Sequence, residues 1–233
     1  FATGPLTGTP APWGARYMVV TKGALTGAIT TSNSGGHWGP ELKFAGYDLI
    51  IFEGRAQRPS YLFIYDDLVE LRDAAAYWGK TVPETEDGLR SELGISALRV
   101  ACIGPAGENL VKFACIMNDK HRAAGRSGVG TVMGSKNLKA IAVRGTKGVK
   151  VANPEAFMKA VWAMRDRMKD DPGREGLSTQ GTAATIDLTN TFGGLPTRNF
   201  QQGQFEEAEN LNGNAIKDTR MVANKACFAC TIA

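Results

Sequence analysis

Short apolar runs, punctuated by glycine, proline and aspartate, dominate the first two-thirds of the chain. Tyr17–Val20, Asp48–Phe52, Tyr61–Tyr65, Leu98–Ile103, Leu110–Ile116 and Lys139–Val143 are rich in β-branched and aromatic residues. Runs of that length, bounded by turn formers, predict strands. One interval differs: the spacing of Val82, Leu89 and Leu93 is weakly amphipathic and predicts a helix over about 83–93. A Gly/Lys-rich stretch over 145–152 then closes the β-rich part. Beyond it, Asn153-Pro154-Glu155 has the form of a helix start, because asparagine caps and proline fits the first turn, where its missing N–H costs nothing. Phe157, Val161, Met164 and Met168 follow at i, i+4, i+7 and i+11, a stripe expected to pack on a core. Pro172-Gly173 is expected to stop that helix, and 182–192 to form a second one before Gly193-Gly194. A β-rich unit thus comes first, then the start of a helical one.

Composition narrows the class. The 233 residues suffice for one large domain or two small ones, and 43% hydrophobic with 21% charged residues is ordinary for a globular protein. The net charge of +4 is small, and the basic residues form no block, so a nucleic-acid partner and a membrane-binding arm are not expected. No stretch approaches the roughly 18 apolar residues of a membrane helix. The chain opens on Phe1-Ala2-Thr3-Gly4, without methionine, in what reads as a strand or its exit; it is expected to be a truncated piece.

Four cysteines carry the first chemical signal. Cys102, Cys115, Cys227 and Cys230 are not spaced as a secreted disulfide framework. Cys102 and Cys115 lie in apolar runs and are expected to be core residues, since a free cysteine behaves as a small hydrophobe. Cys227-Phe228-Ala229-Cys230 is a Cys-x-x-Cys pair, suited to a metal or a redox partner. The second signal is the run His121 to Gly130, dense in glycine and with Arg122 and Arg126 four apart. Such a loop lets backbone N–H groups approach an anion, and arginine adds bidentate bonds to phosphate. It is not a P-loop, because Gly130 is followed by Thr131-Val132, and its glycines do not directly follow a strand as in a dinucleotide fingerprint. A tight turn with surface arginines is the plain alternative. A second polar loop, Thr31 to His37, together with Arg16 ahead of an apolar run, could converge on the same ligand. His37 and His121 lack a second ligand at metal-site spacing and are expected to be hydrogen-bonding loop residues.

Longer strings give these signals a context. Gly4-Pro5-Leu6-Thr7-Gly8-Thr9, Gly14-Ala15-Arg16-Tyr17, Asn33-Ser34-Gly35-Gly36, Glu41 through Asp48, Ile103 through Asn109 and His121 through Gly145 resemble the tungsten-dependent aldehyde:ferredoxin oxidoreductases. The resemblance runs along nearly the whole chain, with Cys227 and Cys230 where that family begins its cluster motif. It implies an α+β chain: a β-rich pterin-binding domain of two antiparallel-type sheets over 1–148, then the start of a helical domain over 149–233 that carries the cysteines. Arg16 would lie between a pterin and the cluster. Gly35, Arg122, Ala123, Gly125 and Arg126 would contact a tungsten bis-pterin cofactor. Asn33 and Ala123 would offer backbone carbonyls to a magnesium ion. Cys227 and Cys230 would ligate a [4Fe–4S] cluster. The family motif continues Cys-x2-Cys-x3-Cys, so a third cysteine is expected directly after Ala233, and the catalytic acid/base residues further downstream. With two of the four thiolates that a cubane needs, the chain alone is expected to be inactive.

The implied reaction is oxidation of a small aldehyde to a carboxylic acid, with electrons leaving through the cluster to ferredoxin or an iron–sulfur electron-transfer subunit. A cytoplasmic location follows, with homo-oligomer formation open. Two alternatives stand beside it: reduction of an acid or aromatic thioester on the same scaffold, and a non-enzymatic iron–sulfur or zinc module.

Overall fold

The structure, a computed structural model, describes residues 1–232; Ala233, the last position of the expected helical domain, lies outside the described residues. The strands are β1 (Ala2–Thr3), β2 (Tyr17–Lys22), β3 (Ile29–Ser34), β4 (Ser60–Tyr65), β5 (Leu68–Asp73), β6 (Arg99–Cys102), β7 (Ile116–Asn118), β8 (Arg122–Ala124) and β9 (Leu138–Arg144). The helices are α1 (Trp38–Phe44), α2 (Val82–Leu93), α3 (Pro105–Glu108), α4 (Val129–Ser135), α5 (Pro154–Lys169), α6 (Pro172–Gln180), α7 (Ile186–Thr191) and α8 (Gly213–Thr219). No described helix is long and apolar enough to cross a membrane. Two compact units result: Phe1–Pro154 with Cys227–Ala229, and Glu155–Ala226 with Cys230 onward.

The first unit holds two sheets, β1-β2-β3 and β5-β4-β9-β6-β7-β8. All pairings are antiparallel except β4–β9, which is parallel. The α+β class holds, with one parallel pair inside the larger sheet. β9 sits near the middle of that sheet, and all but its last residue is buried, which is why Ala140–Val143 reads as an unbroken apolar run. The core has two parts. One packs Ile141 and Val143 with Trp38 and Leu42 of α1, Val129 and Met133 of α4, and Tyr17 and Val19 of β2. The other packs Tyr61, Phe63, Leu98, Val100, Cys102, Ala140 and Ala142 with Leu89 of α2. Full burial of each large side chain contributes about 1.5–3 kcal/mol. The Trp38 indole donates to Ile141 O at 3.0 Å, so its buried N–H is satisfied.

α2 begins on a capping box between Thr81 and Glu84 and ends on Gly94 in the left-handed region, φ 64°. Two expected strands fail. Asp48–Phe52 forms no strand and makes an isolated bridge, Leu49 to Ala2, at the two-residue β1. Leu110–Ile116 is mostly turns: Leu110 has φ 57°, and Val111 N and Ala114 N bond locally to Ala106 O and Val111 O, both at 2.9 Å. Only its last residue enters β7.

In the second unit α5 forms over the expected stripe, but only Val161 is buried; Phe157 and Met168 are half-buried and Met164 is exposed. Pro172 starts α6 rather than merely stopping α5. Asp171 caps it, accepting from Gly173 N at 2.8 Å, and proline's fixed φ suits the first turn. The expected helix over 182–192 divides into a 3₁₀ turn over Gly181–Thr185 and α7.

Candidate cofactor cradle

β2 and β3 alternate. Tyr17, Val19, Ser32 and Ser34 point into the core, whereas Met18, Val20, Thr31 and Asn33 face out, Met18 opposite Asn33. Arg16 is exposed just ahead of β2, and Thr7 Oγ1 fixes its carbonyl at 2.9 Å. Its guanidinium donates to the Asn33 side-chain oxygen. β3 runs beside β8 and the loop after it: Arg126 N donates to Ser32 Oγ at 3.2 Å, and Ser127 Oγ to Thr31 O at 3.4 Å. Arg16, Asn33, Ala123, Gly125 and Arg126 are all exposed, and Arg122 is half-buried at the start of β8. The two polar loops that looked separate in sequence are therefore neighbours in space.

The glycines of the His121–Gly145 segment do different jobs. Gly125 is exposed, and an added Cβ would meet nothing nearer than Ala123 Cβ at 3.7 Å. Gly128 has φ 66° and opens α4. Gly130 and Gly134 have no room for a Cβ, since the backbones of Cys115 and Gly107 press against them. These last three let α4 pack against its neighbours. Only Gly125 leaves space for a ligand, with Arg122 and Arg126 on either side.

The other end of the cradle meets a cysteine. An added Cβ on Gly35 would lie 2.8 Å from Cys227 Sγ, so the bare glycine makes room for that sulfur. The chain beside it is tied down: Phe228 N donates to Gly36 O at 3.1 Å, Trp13 N to Ala229 O at 3.0 Å, and the Phe228 ring stands edge-on to Phe44 at 5.8 Å. In the second unit Cys230 and Thr231 line a cavity of about 350 Å³ with Trp162, Arg165, Lys169 and Arg174, and Arg174 Nε donates to Thr231 O at 2.7 Å. Among the described residues no three His, Cys, Asp or Glu side chains gather as a ready metal site. Cys102 is fully buried, and burial pushes its thiol up to about 12; Cys115 is half-buried and lies just outside β7.

A buried network, not anticipated from the sequence, lies behind these loops. Asn118 is fully buried; its Oδ1 accepts from Tyr17 OH at 3.0 Å and Ser34 Oγ at 2.8 Å. Its Nδ2 donates to Gly35 O at 2.9 Å and Asp119 Oδ2 at 3.0 Å. Asp119 Oδ2 also accepts from His37 N at 2.7 Å, and Arg99 Nη1 stands 3.4 Å from Asp119 Oδ1. Burial keeps Tyr17 a protonated phenol, with its pKa well above the ordinary tyrosine value. The sequence signal for this network was the dipeptide Asn118-Asp119 itself, a turn former at the end of an apolar run.

The donor set suits an anionic, phosphorylated cofactor: arginine forks, an unobstructed glycine and no carboxylate on the exposed strand positions. Three comparisons bear on it. The family model described as aldehyde ferredoxin oxidoreductase, N-terminal domain, matches residues 1–145, and that for domains 2 and 3 matches 159–233. The tungsten-containing aldehyde ferredoxin oxidoreductases of Pyrococcus abyssi and Pyrococcus horikoshii are 55% and 54% identical over the whole chain. The chain spans 38% of the length of each. The WOR-like subunit of aliphatic sulfonate oxidoreductase from Pyrococcus furiosus is 35% identical over 89% of the chain and 35% of its own length. Among solved structures, the active-site complex BamBC of benzoyl coenzyme A reductase, in complex with 1,5-dienoyl-CoA, superposes with a TM-score of 0.83 at 34% identity, over 99% of this chain and 37% of that one. The chain belongs to the aldehyde ferredoxin oxidoreductase family.

Proposed function

We propose that this chain supplies the cofactor base of an enzyme that oxidises aldehydes to carboxylic acids at a bis-pterin tungsten centre and passes the electrons through a [4Fe–4S] cluster to ferredoxin. The observation that carries the proposal is the bonded pair of exposed Arg16 and Asn33 on β2–β3, with the exposed Gly125–Arg126 loop tied by its backbone to β3 and Cys227 seated against Gly35. When bound, the tungsten–pterin group supplies a two-electron acceptor for oxidation of the carbonyl carbon. Arg122 and Arg126 hold its phosphates by charge-assisted bonds, and Gly125 admits close backbone approach. Asn33 and Ala123 offer carbonyls to the magnesium ion. Arg16 keeps a permanent positive charge next to the thiolates and phosphates. Cys227 and Cys230 bind iron.

Identities of 54–55% to aldehyde enzymes favour the aldehyde reading. The likeness to a benzoyl coenzyme A reductase complex favours a second one, reduction of an aromatic thioester on the same base.

The test uses the complete protein. Metal analysis should find tungsten and iron. Arg126→Ala should lower tungsten and pterin content before it lowers the melting temperature, and Cys227→Ser should bleach the cluster absorbance. Zinc as the sole metal would return the chain to a binding module, and full cofactor occupancy in Arg126→Ala would make the arginine loop an ordinary surface turn.

A further inference from the structure

We infer that Asn118 and Asp119 are positioning residues that hold the cradle in its cofactor-receiving shape. The inference rests on the function proposed above but assigns a role to residues outside the candidate contact set. Asn118 bonds four partners on three elements: Tyr17 at the foot of β2, Ser34 at the end of β3, the Gly35 carbonyl and Asp119. Asp119 then takes the His37 N–H, the first donor after the glycine pair. The loop from Asn33 to His37 is thereby fixed at Ser34, Gly35 and His37, on both sides of the glycine against which Cys227 rests.

Sterics say the same. Gly36 has φ 91°, and a Cβ there would overlap the Asp119 carboxylate and come 2.6 Å from Asn118 Nδ2. It would also come 3.2 Å from Arg122 Cγ, and Asn118 pairs in register with Arg122 across β7 and β8. One buried pair therefore ties the Arg16 end, the glycine loop, the arginine strand and the cysteine segment together. Asp119 and Lys120 both sit in the left-handed region, φ 49° and 63°, in the three-residue turn between β7 and β8. Glu86 Oε2 holds the turn through Lys120 N at 2.9 Å. Consecutive left-handed residues are what a tight hairpin turn adopts, and in this turn the Asp119 carboxylate accepts from His37 N. Residues in sparsely populated backbone regions cluster where structure serves a site.

The experiment is made in the complete enzyme, with tungsten, pterin and iron measured per folded protein. Asp119→Asn keeps the side-chain size and removes the charge and one acceptor. Outer-shell changes of this kind cost about 10–100-fold in metal affinity or activity. Tungsten per folded protein should fall at least about tenfold on that scale, and the potential of the cluster, titrated by electron paramagnetic resonance, should shift. Tyr17→Phe, which removes only the hydroxyl that bonds Asn118, should lose less of both and decides the matter if Asp119→Asn does not fold. Cys102→Ser, a core change outside the cradle, should keep wild-type stoichiometry and potential. Wild-type loading and potential in Asp119→Asn and Tyr17→Phe would overturn the inference and leave the pair a purely structural anchor. A wild-type enzyme without tungsten or pterin would instead overturn the function it rests on, and the inference with it.

Discussion

Single side chains divide by what surrounds them rather than by type. Cys102 and Cys227 are the same residue with opposite prospects. Cys102 is enclosed in the core beside Leu89 and Val100, and burial raises its thiol to about 12. The thiolate is the reactive form, so at pH 8 only about one molecule in 10⁴ is reactive there. The folded protein should therefore leave Cys102 unmodified by iodoacetamide at pH 8, and label it only after denaturation. Labelling in the native state at a rate similar to Cys227 would contradict this. The same shift has a sign for stability. The folded state holds this proton more tightly than the unfolded state, so the contribution is complete below about pH 9 and is lost as pH rises towards 12. Denaturation followed over that window should show Cys102→Ala losing less stability than the wild type. Glycine divides in the same way: Gly125 faces open space, Gly36 faces a carboxylate, and Gly130 faces a carbonyl.

At the scale of elements, burial and backbone partners decide which runs become strands. β9 has neighbours on both sides and a hidden ion pair in its first turn of contacts. Lys139 Nζ, fully buried, donates to Lys80 O at 2.8 Å and pairs with Glu108 at 2.5 Å, while Glu108 also accepts from Gly79 N at 2.8 Å. Removing one member of such a pair leaves a buried charge without its counterpart, at a cost of about 3–5 kcal/mol. Lys139→Met should lose about that much by urea denaturation, and Lys139→Met with Glu108→Gln should lose less than the two single changes added together. Additive losses would mean the pair does not interact. β5 shows the opposite case. It is an edge strand bonded to β4 alone, and Leu68, Val69 and Leu71 are exposed, so it carries no clear apolar alternation. Asp48–Phe52 has the composition of a strand but lacks a ladder to join.

For the molecule as a whole, an exposed apolar patch sets the expected behaviour. Val20, Leu25, Ile29, Leu49 and Ile51 of the first unit are 52–84% exposed. Val20, Leu49 and Ile51 also border a cavity of about 270 Å³ lined by Phe1, Val132 and Met133. Patches of this kind drive association or bind partners. The 233-residue chain by itself should bind 1-anilinonaphthalene-8-sulfonate in its folded state and associate as concentration rises. Ile29→Lys with Ile51→Lys should reduce both, with no more than about 0.5 kcal/mol of stability change at such exposed positions. Dye binding unchanged by these substitutions would place the association elsewhere.

The sequence by itself determined the α+β order, the central strands, the existence of α2 and the start of α5, because each depends on residues a few positions apart. It also marked the chemistry: arginine beside glycine, and two cysteines three apart, are readable wherever they fold. Tertiary structure alone decided which glycine is open and which is packed, since that depends on atoms arriving from elsewhere, such as Cys227 against Gly35 or Cys115 against Gly130. It decided that Asn118 meets Ser34, 84 positions away, and Tyr17, 101 positions away. The proline that looked like a stop is instead the start of α6, and the signal for it is local: Asp171, directly before it, caps the helix. A buried amide is satisfied only by partners that the fold brings to it, and no local pattern along the chain records which ones those are.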